Sequence, residues 1–180
     1  MNIFALHLDP KVCAQMHVDK HVVKMILEYS QLLSTAHRVL DGKEYVDSST
    51  GRRIKRWKLD DVFTDQFVYK ATHINHPSAI WARESKANYQ WLAGLLVELC
   101  KEYTYRYGKV HKCEETGMVR WFVQNVPRNI PNKPFTQPTP AMPDHYKVKG
   151  DSVKSYRNYY VGDKQRMASW KSRPVPEWWK

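Results

Sequence analysis

The stretch that decides the fold is residues 9–40, DPKVCAQMHVDKHVVKMILEYSQLLSTAHRVL. Asp9 followed by Pro10 is a helix opening: the carboxylate caps an orphan backbone N–H, and proline at the first helical position lacks one. Apolar residues then recur at helical spacing until Asp41-Gly42, where a helix stops. One helix of about 30 residues is expected, long enough to kink. At ~100° per residue, His17, Lys20, His21, Lys24, Glu28, Gln31, Thr35 and Arg38 fall along one line. The remaining surface is mainly apolar, so the helix should be buried on most sides with this stripe facing a cleft.

The stripe carries the chemistry. His17 and His21, four residues apart, point the same way and have the spacing of metal ligands. Lys20 and Lys24 would repel a cation, so phosphate contact or acid–base work suits the imidazoles better, and neither a metal nor a cofactor is expected. Lys20 and Lys24 are candidate amine nucleophiles toward a sugar C1′, or plain phosphate ligands. Glu28 is a candidate acid–base group or stabiliser of a cationic sugar, or simply the ion-pair partner of Lys24 one turn away. Arg38 would add a phosphate or sugar contact.

Outward from this helix, residues 44–58 read as a hairpin around Ser-Ser-Thr-Gly. Its second half, RRIKRWK, brings Arg52, Arg53 and Arg56 beside Trp57. His73 and His76 precede Pro77 at another helix start, with Arg83 one or two turns on; they either hold phosphate or cap the helix. Trp81 is a candidate stacking platform for a base. Helical spacing runs on to Gly108, and a further helix fits His111 to about Val126. A proline-rich irregular segment occupies 127–147. The arm 148–180 is basic and aromatic, with short helices over 151–160 and 163–170, and offers Arg157, Lys164 and Arg166 to a nucleic-acid strand, or its aromatics to the core.

Composition sets the class. Of 180 residues, 42% are hydrophobic and 13% aromatic, enough for one cored domain spanning the chain. Lys and Arg number 29 against 18 Asp and Glu, a net charge of +11 that favours a polyanionic partner over mere solubility. Three scattered cysteines without zinc spacing fit a reducing cytoplasm. Neither a signal-peptide pattern nor an apolar run of roughly 20 residues is present, so no membrane role is expected.

The runs HVDKHVVKMILEYSQLLSTAHR, THINHPSAIWARESKANYQWL, LCKEYTYRYGK and AMPDHYK…SYRNYYVGDKQRMASWK…PEWW resemble a family of uncharacterised proteins from tailed phages, notably marine ones, over nearly the whole chain. That implies work in the cytoplasm of an infected host cell. In layout the chain also resembles the phage endonuclease V type of pyrimidine-dimer DNA glycosylase. The shared order is a short N-terminal segment, a long helix bearing His and a carboxylate, a central helix and a basic aromatic tail. Lys24 stands where that family has its acidic residue, and Glu28 follows a turn later. That family's nucleophile is an N-terminal amine exposed by loss of Met1; Asn2 is too large for efficient removal. The resemblance therefore implies Lys20, Lys24 or Met1 itself as the amine.

The expectation is a mostly α single domain, a helical bundle around one long N-terminal helix with a small hairpin. It is expected to act as a DNA glycosylase or glycosylase/lyase on a damaged or modified base, with Lys24, Lys20, Glu28 and His21 as catalytic groups. The alternatives are a non-enzymatic nucleic-acid-binding protein, or an enzyme acting on nucleotides or other small phosphorylated substrates.

Overall fold

The computed structural model describes residues 1–179; Lys180, the last residue of the basic arm, lies outside them. Asp9 does cap a helix, its Oδ1 accepting from the Val12 N–H at 2.9 Å. That helix, α1 (Pro10–Met16), is short. His17 and Val18 are extended, with ψ of 135° and 152°, and α2 (Asp19–Asp41) starts afresh. The expected single helix is therefore two helices joined by an elbow. Long-range partners satisfy the backbone groups that the break releases. Arg106 donates to the carbonyls of Gln15 and His17, Trp170 Nε1 donates to Met16, and the Asp19 N–H donates to Ser169.

The core forms between α2 and α5 (Lys86–Tyr107), with α1 packed against α5 and α4 (Pro77–Glu84) against both. Val22, Met25, Ile26, Tyr29, Leu32 and Leu33 of α2 meet Tyr89, Leu92, Leu95, Leu96 and Leu99 of α5, all fully buried. Ser85 caps α5 and Gly108, at φ 64°, ends it in the left-handed region that glycine adopts without strain. The expected helix from His111 is split into α6 (Lys112–Glu115) and α7 (Met118–Gln124) by Gly117, whose φ is 82°. Among the described residues no helix is long and apolar enough to cross a membrane.

The sheet is one antiparallel hairpin, β1 (Lys43–Asp47) with β2 (Ile54–Lys58), in register Lys43 to Lys58. Arg38 holds it to the helical body. Its guanidinium donates to the carbonyls of Tyr69, Trp57, Asp65 and Val68 and to the Asp65 carboxylate, at 2.6–3.0 Å. α3 (Val62–Phe67) is fastened by the same clamp. Only 4% exposed, Arg38 has no donor to spare for phosphate, contrary to expectation.

The proline-rich segment is pinned along its length. Asp41 accepts the N–H groups of Arg128 and Asn129; Trp81 Nε1 and Asn88 bond Thr136; Ser152 Oγ donates to the Pro138 carbonyl. The chain closes with α8 (Ser152–Asp163) and a strap over the elbow. Tyr156, Tyr160 and Trp170 are buried, so the tail's aromatics serve the core.

Candidate functional site

The elbow and the clamp divide the expected stripe into two populations. His17, Thr35 and Arg38 are buried and His21 nearly so, whereas Lys20 and Lys24 are exposed and Glu28 and Gln31 half-exposed. The His17 Nδ1–H donates to the Cys13 carbonyl at 2.8 Å, and its Nε2 accepts from the Tyr29 hydroxyl at 3.2 Å. Burial depresses its pKa to about 4. His21 stacks on Phe4, ring centroids 4.2 Å apart, and meets the Tyr160 hydroxyl at 2.6 Å. Burial, reinforced by the charges of His17, Lys164 and Lys24, drives its pKa to about 3. Neither ring is placed for the phosphate or acid–base role expected of it; both are neutral packing groups.

A third histidine shares this state. His37 bonds the Tyr89 hydroxyl at 2.8 Å, and burial lowers its pKa to about 4. All three rings are neutral in the fold, while an unfolded chain takes up their protons near pH 6.5. Stability is then fully present above pH 6.5 and is lost as the pH falls toward 4. Each ring contributes about 1.4 kcal/mol per pH unit over that window. The urea midpoint is expected to be flat above pH 7.5 and to fall steeply below 6.5, with a shallower fall in His37→Gln. An unchanged midpoint at pH 5 would contradict this.

The outward half of the stripe gains a partner from the start of the chain. The Met1 α-amine lies 3.8 Å from Glu28 Oε2, and Lys24 Nζ lies 3.1 Å from Glu28 Oε1. One carboxylate thus faces two amines. Met1's side chain is only 4% exposed although the residue is half-buried, so its exposure lies at the main chain, where the amine is. Asn2 fixes this arrangement. Its Oδ1 accepts from the Ile3 N–H at 2.9 Å and sits 2.7 Å from the Tyr156 hydroxyl, and its Nδ2 donates to the Ala141 carbonyl at 2.7 Å. Nothing in the spacing of the sequence links Asn2 to Tyr156.

His76 borders the same spot. It caps α4, its Nδ1 accepting from the Ser78 N–H at 3.2 Å, which leaves the proton of the neutral ring on Nε2. Burial lowers its pKa, helped by the Met1 amine and His73 and opposed by Glu28. His73 is exposed and adopts φ 49°, a left-handed conformation that few residues other than glycine take.

The chain matches no family model, no curated protein and no solved structure.

The other expected residues scatter. Arg52 and Arg53 are exposed at the hairpin tip. Trp57 is half-buried, and Arg56 lies 3.8 Å from Asp47. Trp81 is 1% exposed with its indole N–H bound to Thr136, so it offers no face to a base. Arg83, half-buried on α4, has an Nη1 without a bond. Arg157 donates to the Leu6 carbonyl and lies over Trp178; Lys164 lies over Tyr159; Arg166 is exposed. Among the described residues no three His, Cys, Asp or Glu side chains are grouped to hold a metal. Cys13, Cys100 and Cys113 are buried thiols.

Missing from the sequence-based candidates are Asp19, Glu102 and Arg106, which form a buried ion network under the elbow. Arg106 reaches Glu102 at 2.7 Å and Asp19 at 2.8 Å, and Arg173 grips Glu102 from the strap. Burial alone would raise the Asp19 and Glu102 carboxyls, but hydrogen bonds outweigh it. Those of Ser169, Lys171 and Arg106 to Asp19, and of Arg173 and Arg106 to Glu102, hold both below the usual carboxylate range. The largest cleft described, about 850 Å³, lies between the elbow and the strap and is lined by His7, Gln15, Arg157 and Trp178 among others. Neither Met1, Lys24 nor Glu28 lines it; Lys24 is exposed, while the Glu28 side chain is 14% exposed and that of Met1 4%.

Proposed function

We propose that the protein is a DNA glycosylase or glycosylase/lyase in which the Met1 α-amine is the nucleophile and Glu28 the acid–base group. The observation that carries this is the 3.8 Å approach of that amine to Glu28, with Lys24 on the other carboxylate oxygen. The Met1 amine is held in place by its buried side chain and by the bonds of Asn2, whereas Lys24 ends a flexible stem that is 69% exposed. The amine nitrogen bonds to C1′ as the C1′–base bond breaks and the base leaves with that electron pair. The amine's proton passes to Glu28, which hands it to O4′ as the ring opens to an iminium. The carboxylate so restored removes a C2′ proton, and the electron pair of that C–H bond expels the 3′ phosphate.

Borohydride trapping on duplex DNA with an abasic site tests this. The expected result is a covalent adduct that maps by mass spectrometry to the peptide containing Met1 and survives in Lys20→Ala/Lys24→Ala. Intact mass establishes that Met1 and its amine are retained. No adduct, or one mapping to Lys20 or Lys24, overturns the assignment. A purely nucleic-acid-binding role is favoured by the exposed Arg52 and Arg53; it predicts salt-sensitive binding without an adduct.

A further inference from the structure

The segment between the hairpin and His76 has a geometry of its own. It runs back along α2 from Arg38 toward Glu28, bonded at successive points. Arg38 holds the Val68 and Tyr69 carbonyls, Ser34 Oγ accepts from the Tyr69 N–H, and Thr35 Oγ1 exchanges bonds with the Thr72 backbone. Lys70 and His73 are exposed along it. At its hairpin end Lys70, Arg56 and Tyr45 line a cleft of about 330 Å³. Asp65 is taken by Arg38 and the Leu59 N–H; Asp47 accepts the Ser49 N–H and hydroxyl on Oδ1 and faces Arg56 with Oδ2. Arg56 Nε makes no hydrogen bond but pairs with Asp47 Oδ2 at 3.8 Å. With Arg56 paired, Lys70 is the exposed cation at the cleft, and Arg52 and Arg53 continue the positive charge outward at the hairpin tip.

We infer that this strip, from His73 through Lys70 to the hairpin tip, is a phosphate track for the backbone of duplex DNA on one side of the reacting base. It rests on the proposed function only for where that base lies. Arg38 is ten residues along α2 from Glu28, roughly 15 Å, or four to five base pairs at ~3.4 Å each. The hairpin begins beyond that point, so the protein should need a longer duplex arm on one side of the lesion than on the other.

The test uses the intact protein and fluorescence anisotropy on duplexes with an abasic site, carrying three or ten base pairs on either side, and on undamaged duplex. Wild type is expected to bind at least about tenfold more weakly when one particular arm is cut to three pairs, and to be indifferent to the other arm. In Arg52→Ala/Arg53→Ala/Lys70→Ala that asymmetry disappears. Affinity for undamaged duplex drops about tenfold or more, and the slope of log K on log salt falls by roughly 2 to 3, at ~0.9 for each phosphate no longer neutralised. Lys11→Ala/Lys101→Ala removes charge from the α1/α5 side and should change neither. An unchanged slope in the triple variant, an equal loss in the Lys11/Lys101 variant, or tighter binding to duplex RNA overturns the track. Loss of salt slope without any adduct would sink only the catalytic proposal; an adduct with symmetric arm dependence would sink only the track.

Discussion

In Glu28→Gln the borohydride-trapped adduct is expected to fall about a hundredfold or more, with affinity for abasic DNA changed only a few-fold. A positioned acid–base group is worth about 10²–10⁴ in rate, and glutamine keeps the size of the side chain while removing its charge and its capacity to take a proton. In the proposed reaction the carboxylate has two tasks: relaying the amine's proton to O4′, and taking the C2′ proton. Glutamine performs neither. The fold should hold, because Lys24 is 69% exposed and is solvated once its partner is gone. Glu28→Asp, reaching less far, should recover part of the yield. A Glu28→Gln yield equal to wild type would reduce Glu28 to a surface ion pair.

Arg106→Met is expected to lower the unfolding free energy by about 3–5 kcal/mol, the usual cost of breaking a buried pair from one side. Arg106 is fully buried and serves four acceptors: Glu102, Asp19 and the carbonyls of Gln15 and His17. Its removal strands a carboxylate that is 3% exposed, with only Arg173 left on it, and uncaps both carbonyls of the elbow. Urea unfolding reads this as a lower midpoint at constant m-value. Glu102→Met/Arg106→Met should recover part of the loss, since the stranded charge goes too. A shift under about 1 kcal/mol would mean that water reaches the network.

Much of the helical frame is legible in local chemistry. Asp9-Pro10, the turn at Asp41-Gly42, the hairpin around Ser-Ser-Thr-Gly, His76-Pro77 and Gly108 each stop or start an element where the sequence places them. The elbow at His17-Val18 is not, because neither residue is a helix breaker. The break is held by Arg106, Trp170 and Ser169, from parts of the chain that spacing cannot connect to it. The stripe misled for the same reason. Helical phase locates a face but not what covers it, and Tyr29, Tyr160 and Phe4 cover the histidines. At the candidate site Lys24 and Glu28 follow from spacing. The Met1 amine follows only as one option among three, because its position depends on Asn2 meeting Tyr156 and Ala141 far along the chain.

The strap over the elbow bears on how the chain is made. Asp19 takes bonds from Ser169 and Lys171, and Met16 takes one from Trp170, partners separated by about 150 residues. During synthesis α1 and α2 leave the ribosome with their junction unsatisfied and must wait for residues 169–171. Such distant contacts carry a large closure entropy and form late. Asn2, which sets the Met1 amine beside Glu28, likewise waits for Ala141 and Tyr156, so that pair is not fixed until this part of the chain has been made.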